Sequence, residues 1–332
     1  MVYAADAALR SDSKLKISSF LKLVEIQTKV ASVFPFLFGT LYGIWLRGSF
    51  RWQPAAIMFL SLLCIDMATT AVNNYMDFKR AIRREGYGYE EHNAIVKDQV
   101  EIDRVKMVII TLLGLGLILG LILVWMTDWI VLAVGVISAG IGVLYSYGPV
   151  PISRTPLGEV FSGGFMGILI PFLAFYIQFP IGTLIEVGWL ADWMTIGIDY
   201  RLLLRLIVVS LPFAVGIANI MLANNICDLE DDLENRRYTM VAYIGRTHAI
   251  ALYQHLAVAA YGVMVISIAV GWLPVFSVIA VATGLPVYKL TRDFCERPDK
   301  KETFINAVKS FVLIAAGMVL SMGIAVTYAY YS

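Results

Sequence analysis

The chain has 332 residues, of which 59% are hydrophobic and 15% charged, against roughly 45–50% and 25% in soluble domains. A soluble fold of this size cannot bury so much apolar surface, whereas a membrane protein has lipid for its solvent, and the mean hydropathy of +0.75 agrees. The net charge of +1 gives no electrostatic footprint for nucleic acid, and three cysteines and three histidines are scattered without metal or disulfide spacing.

Residues 1–19 are polar and mildly basic and read as a cytoplasmic segment rather than a signal peptide, because the first apolar run is long enough to span and stay. A spanning helix needs about 20 apolar residues. Nine such runs follow, near 20–46, 54–77, 104–126, 129–147, 159–180, 202–226, 249–271, 273–291 and 308–330. The expected fold is an all-α, nine-helix membrane bundle forming one domain over 20–332. With the N-terminus in the cytoplasm, 22 lysines and arginines fall inside and four (Arg47, Arg51, Arg201, Arg205) outside. That bias predicts an N-in, C-out topology. The seven tryptophans then gather near the outer face as an aromatic belt. Glycines 114, 116, 120, 135, 140 and 142 in the third and fourth spans predict close helix packing.

Asn73-Asn74-Tyr75-Met76-Asp77 ends the second span, and Asn224-Asn225-Ile226-Cys227-Asp228 ends the sixth, 151 residues later. Four spans separate them, so both corners leave the membrane on one side. This predicts two four-helix halves, about 20–150 and 151–290, plus a last helix at 308–330. Asn73 and Asp77 are i, i+4 and share a helix face, as do Asn224 and Asp228, and then Asp228 and Asp232. Carboxylates held together repel unless a cation sits between them. Oxygen-only donors suit Mg²⁺, with phosphate oxygens completing its shell. Lys79 and Arg80, and Arg236, Arg237 and Arg246, stand beside the two clusters and match phosphate. The expected ligand has a diphosphate head and a lipid tail, a polyprenyl diphosphate. Glu85, Glu90, Glu91, Asp98, Glu101 and Asp103 read as a solvated loop. Lys289, Arg292, Arg297, Lys300 and Lys301 read as topology determinants.

At these motifs the sequence resembles the UbiA superfamily of intramembrane aromatic prenyltransferases, with its N-(D/N)-x-x-D and D-x-x-x-D signatures. The stretches 145–149 (Tyr-Ser-Tyr-Gly-Pro), 155–159 (Thr-Pro-Leu-Gly-Glu) and 224–232 look most like the branch that prenylates 1,4-dihydroxy-2-naphthoate for menaquinone. The resemblance implies a nine-helix bundle with a lipid-facing portal, in the bacterial cytoplasmic membrane with its site toward the cytoplasm. It implies Mg²⁺ held by Asp77 and Asp228, with Asn73, Asn74, Asn224 and Asp232 completing or supporting the shells. Lys79, Arg80, Arg154 and Arg237 would neutralise the diphosphate, and Tyr145 would act near the scissile oxygen or the allylic cation. Glu25, Gln27, Thr28 and Lys29 would meet the aromatic acid, unless they are simply an interfacial helix end. Two positions depart from the pattern: Ala81 stands where a further aspartate is common, and Pro149 where 4-hydroxybenzoate enzymes carry a basic residue. Other acceptors (4-hydroxybenzoate, haem, chlorophyllide) remain alternatives. So does a secondary transporter, which would place acids at mid-membrane and break its helices.

Overall fold

The computed structural model describes residues 16–80, 94–148, 150–190 and 192–332. Residues 1–15, 81–93 (with Glu85, Glu90 and Glu91), Pro149 and Ala191 lie outside them, as do the side chains of Arg80, Ala94, Ser146, Trp189 and Leu190. Among the described residues the main helical segments, beside short helices such as Ile17–Leu23, Leu229–Glu234 and Met240–Ile244, are in chain order α1 (Val30–Arg47), α2 (Trp52–Arg80), α3 (Ile102–Met126), α4 (Trp129–Ser146), α5 (Gly158–Tyr176), α6 (Tyr200–Cys227), α7 (Arg246–Ala269), α8 (Val278–Ala282 and Gly284–Glu296) and α9 (Ile305–Tyr331). All except α4 and α8 are long and apolar enough to cross a membrane. α4 is a shorter apolar helix, and α8 is interrupted at Thr283.

Helices suit this composition because each satisfies its own backbone hydrogen bonds in a solvent that offers none. On α3, Met107, Ile110, Leu117 and Trp125 are exposed, which is a liability in water and ordinary against lipid. The core lies where α1, α5, α6 and α9 meet, around Phe38, Tyr42, Phe175, Phe213 and Phe311. Backbones touch there. A Cβ on Gly39 would sit 2.3 Å from the carbonyl oxygen of Pro171, and one on Gly167 2.2 Å from Cα of Ala214. Gly167 lies in a single π turn, Phe165–Leu169, that interrupts α5 against α6. Gly167→Ala is therefore expected to cost about 1–3 kcal/mol by overpacking and to lower the melting temperature of the detergent-purified protein. The expectation for the third- and fourth-span glycines holds only in part. Gly116 packs tightly on Ile65, but a Cβ at Gly114, Gly135, Gly140 or Gly142 would meet nothing within 4 Å. Gly135 and Gly142 instead line a cavity.

All four arginines expected outside have partners, Arg201 donating to the Tyr200 hydroxyl at 3.3 Å. Arg47 donates to the carbonyl of Gln178, and Arg51 to those of Ile177 (3.1 Å) and Phe179 (2.9 Å). These carbonyls follow the last turn of α5, where no further turn of helix can satisfy them. Arg205 donates to the Tyr42 hydroxyl (2.5 Å) and the Trp272 carbonyl (3.0 Å). The helical fold carries one addition absent from the sequence expectation, an antiparallel ribbon of β1 (Ile185–Leu190) and β2 (Trp193–Ile198). It pairs Ile185 with Ile198 and Gly188 with Thr195 between α5 and α6. The intervening chain has no unbroken apolar run for another span, being interrupted by Pro180, Glu186 and Asp192, and its β-branched residues suit a hairpin.

Candidate active site

A cavity of about 1260 Å³ opens between the helices, lined largely by apolar side chains of α2, α3, α4, α5 and α6. Its polar residues are concentrated around the N-terminal end of α1, the C-terminal half of α2 and the loop before α9. They include Lys22, Glu25, Gln27, Thr28, Asn73 and Lys300. Each asparagine-aspartate corner connects to this cavity, although Asp77, Asn224 and Asp228 are not among its lining residues. The first does so through Asn73 itself, the second through Lys300, whose Nζ is held 2.5 Å from Asn224 Oδ1 and 2.5 Å from Asp228 Oδ2. Asn224 Nδ2 donates to the same Asp228 oxygen at 3.2 Å. Asp77 is exposed near the end of α2, and Lys79 lies beside it with its ammonium 5.8 Å from the Tyr75 ring centroid.

The two asparagines of each corner have different duties. Asn74 is buried, and its Nδ2 donates to Leu23 O (3.0 Å) and Glu25 Oε1 (3.2 Å), tying α2 to the chain before α1. Asn225 is buried and donates at 2.8 Å to Glu159 Oε1, tying α6 to the start of α5. In both corners the second asparagine is a tether, which leaves the first asparagine and the aspartate for the mouth. Asn74, expected with the metal shell, thus has its amide nitrogen committed to a neighbouring segment.

Asp232 is buried one turn past Asp228, and among the described residues its Oδ2 has no hydrogen-bond partner. Arg237 Nη1 lies 3.4 Å from Asp232 Oδ1, and Arg237 Nε donates to Ser153 O at 3.2 Å. Arg237 thereby joins the loop carrying the half-buried Arg154 to this corner. Arg246 turns elsewhere, to Glu230 (2.6 Å) and the carbonyl of Ile226 (3.2 Å). Burial pushes the Asp232 carboxyl up to about 6, with Arg237 pulling it down and Asp228 pushing it up. Protons and a divalent cation compete for such a carboxylate. Mg²⁺ affinity is therefore expected to fall by up to about tenfold per pH unit below pH 6 and to level off above it. Equilibrium Mg²⁺ titrations across pH test this, and Asp232→Asn should flatten the slope.

The donor set fits a hard cation. Asn224 and Asp228 already grip an ammonium, and Asp232 adds an unpartnered buried oxygen. Among the described residues no three His, Cys, Asp or Glu side chains converge on one point. Mg²⁺ there would need outside oxygens, which is how it binds with phosphates.

Tyr145 lines the cavity wall with its hydroxyl 3.8 Å from Met221 Sδ. Glu25, Gln27 and Thr28 line the mouth. Burial lifts the Glu25 carboxyl above its usual range, while the Asn74 hydrogen bond and Lys29 pull it down. Lys29 is buried and bound to Asp66 Oδ1 (2.7 Å) and Thr70 Oγ1 (2.6 Å). Sequence reasoning passed over Asp66 and took Lys300 for a topology residue. Asp66 carried a signal, an acid inside an apolar run two turns before Asn73. It is also an acid well inside a candidate span, and α8 is broken, so both features expected of a transporter are present. The comparisons decide between the classes.

Two curated relatives align along nearly their whole lengths. The 1,4-dihydroxy-2-naphthoate octaprenyltransferase of Bacillus subtilis (strain 168) is 28% identical over 318 residues, 92% of this chain and 92% of the relative. The protein of the same name from Mycobacterium leprae (strain TN) is 24% identical over 316 residues, 90% and 94% of the two chains. Among solved structures, a UbiA homolog from Archaeoglobus fulgidus bound to GPP and Mg²⁺ matches with a TM-score of 0.63 at 16% identity, over 93% of this chain and 99% of that one. The apo UbiA homolog from Aeropyrum pernix K1 matches at 0.66 and 16% identity, over 88% and 98%. At that identity these structures speak for the fold. The UbiA prenyltransferase family model matches residues 32–314. With both polar corners inside the matched region and curated prenyltransferases aligning end to end, the chain belongs to the UbiA prenyltransferase family and is a prenyltransferase.

Proposed function

We propose that this enzyme transfers a polyprenyl group from its diphosphate to 1,4-dihydroxy-2-naphthoate, releasing diphosphate and CO₂ and forming demethylmenaquinol for menaquinone synthesis. The observation that carries the reading is one apolar cavity whose polar lining holds Asn73 of the first corner and Lys300, which is bound to Asn224 and Asp228 of the second. The acceptor is supported by the two relatives, both 1,4-dihydroxy-2-naphthoate octaprenyltransferases. When bound, Mg²⁺ supplies Lewis-acid charge on the diphosphate oxygens. Asp77 with Asn73, and Asp228 with Asn224 and Asp232, are the residues that would hold it. Lys79, Arg80, Arg154, Arg237 and Lys300 supply positive charge for the leaving diphosphate. Tyr145 offers its ring and hydroxyl to the allylic carbon, and the apolar walls exclude water from it. Glu25, Gln27 and Thr28 guard the side by which an aromatic acid would enter.

The same reading proposes nine crossings, α4 and the broken α8 included, arranged as two four-helix halves and a last helix. The N-terminus and the site face the cytoplasm of a bacterial cell membrane. The test is a screen of purified enzyme with Mg²⁺, prenyl diphosphates of graded length, and dihydroxynaphthoate, 4-hydroxybenzoate, haem or chlorophyllide as acceptor. Prenylated naphthol with matching diphosphate release supports the proposal. Transfer to another acceptor only would replace the naphthoate assignment while leaving the enzyme class intact.

A further inference from the structure

The cavity holds one charged group well below its mouth. Asp66 lies seven residues before Asn73 on α2, two turns and about 10 Å deeper along the helix, and its side chain is 14% exposed. Its two oxygens are each held by one donor. Lys29 Nζ donates to Oδ1 at 2.7 Å, and the Ser32 hydroxyl to Oδ2 at 2.5 Å. Lys29 is saturated in turn, giving its remaining hydrogens to Thr70 Oγ1 (2.6 Å) and the Asp66 carbonyl (3.3 Å). A carboxylate offers about four lone-pair sites, so two remain on Asp66. Asp66, Ser32, Thr69 and Thr70 line the cavity, while Lys29 does not. The acid is thus oriented from behind and open in front.

A pure counter-ion for Lys29 does not need that opening. An acid inside a membrane span is costly and is a functional candidate by default. A ligand group that meets it must donate a hydrogen, and a prenyl tail has none. An aromatic ring hydroxyl has one. The depth also suits it, because the diphosphate sits at the mouth and the bond-forming carbon beneath it.

Resting on the acceptor reading above, we propose that Asp66 is the carboxylate that receives the acceptor's ring hydroxyl and takes its proton during transfer. The donor's C1–O bond breaks with its electron pair going to diphosphate. A ring π pair forms the new C–C bond to C1. The hydroxyl oxygen becomes a ring carbonyl as its proton passes to Asp66. When the ring carboxylate leaves as CO₂ its electrons restore the aromatic ring, and the oxygen regains the proton. No oxidant is needed.

Asp66→Asn keeps the shape and, with Oδ1 accepting from Lys29 and Nδ2 now donating to the Ser32 hydroxyl, a contact to each, but it cannot accept a proton. It is expected to lower kcat by about 100-fold or more, with binding of a non-reactive thiolo analogue of the prenyl diphosphate unchanged. Acceptors whose hydroxyl is already ionised at the assay pH should show a much smaller wild-type-to-variant ratio. The double variant K29M/D66N removes both charges and serves as the control for a structural role. If it regains wild-type turnover, or if Asp66→Asn keeps kcat within about threefold, the inference is overturned. Wild-type enzyme is assayed in parallel. Failure of wild type to prenylate dihydroxynaphthoate sinks the acceptor reading and this inference with it. An active wild type beside an active Asp66→Asn sinks the inference alone.

Discussion

Asp228→Asn and Asp77→Asn are each expected to reduce prenyl transfer by about 100- to 1,000-fold, with the purified variants remaining folded. The physical reason is the charge that develops on the leaving diphosphate. It has to be met at the mouth of a largely apolar cavity, whose walls offer little to meet it. Asp228 shares its Oδ2 between Lys300 and Asn224, so the neutral amide loses the negative charge that any cation there needs. The substitution is isosteric, and Asp228 sits at the junction of α6 and the short helix Leu229–Glu234 rather than in the packed core. Thermal unfolding should therefore move little while kcat collapses. Retention of near-normal turnover in either variant would show that the corners do not hold the metal.

Much of this was legible before any coordinates. The apolar runs are long, and a chain in lipid has few ways to satisfy its backbone, so nearly all of the helical segments could be delimited. The repeated Asn-Asn-x-x-Asp corner pointed to the mouth because its residues recur at helical spacing. What the sequence did not show are duties set by a partner far along the chain. Nothing in the corner distinguishes Asn73 from Asn74, or Asn224 from Asn225. The difference arises because Leu23 and Glu159 lie against the second residue of each pair. Lys300 stands 72 residues from Asp228 and looks, in sequence, like any cytoplasmic lysine. Small residues in the fourth span predict packing contacts, yet Gly135 and Gly142 leave room for the cavity instead. Asp66 is an acid in an apolar run, which demands a reason, but its partners Lys29 and Ser32 lie 37 and 34 residues earlier, and their approach is set by packing.

Lys300→Met should separate two jobs that one ammonium performs. Its loop is pre-formed. The Asp299 carboxylate accepts the backbone N–H groups of Lys301 and Glu302, both at 2.8 Å, and those bonds hold it below the usual carboxylate range. Lys300 is thereby presented over the Phe304 ring, 5.1 Å from its centroid, with Nζ on Asn224 and Asp228. That is the position a divalent cation would contest, and like charges cannot share it. Without diphosphate, removing the ammonium should therefore tighten Mg²⁺ binding, because the oxygens lose a competitor. With diphosphate the sign reverses. Lys300 lines the cavity and can turn from the carboxylate to the phosphate oxygens, a charged hydrogen bond worth about 1.5–3 kcal/mol. The KM for prenyl diphosphate should rise by about 10- to 100-fold, and the acceptor KM should stay put. Calorimetric Mg²⁺ titration and steady-state kinetics on the same preparation read both. Weaker Mg²⁺ binding in Lys300→Met would mean that the ammonium supports the metal site rather than competing for it.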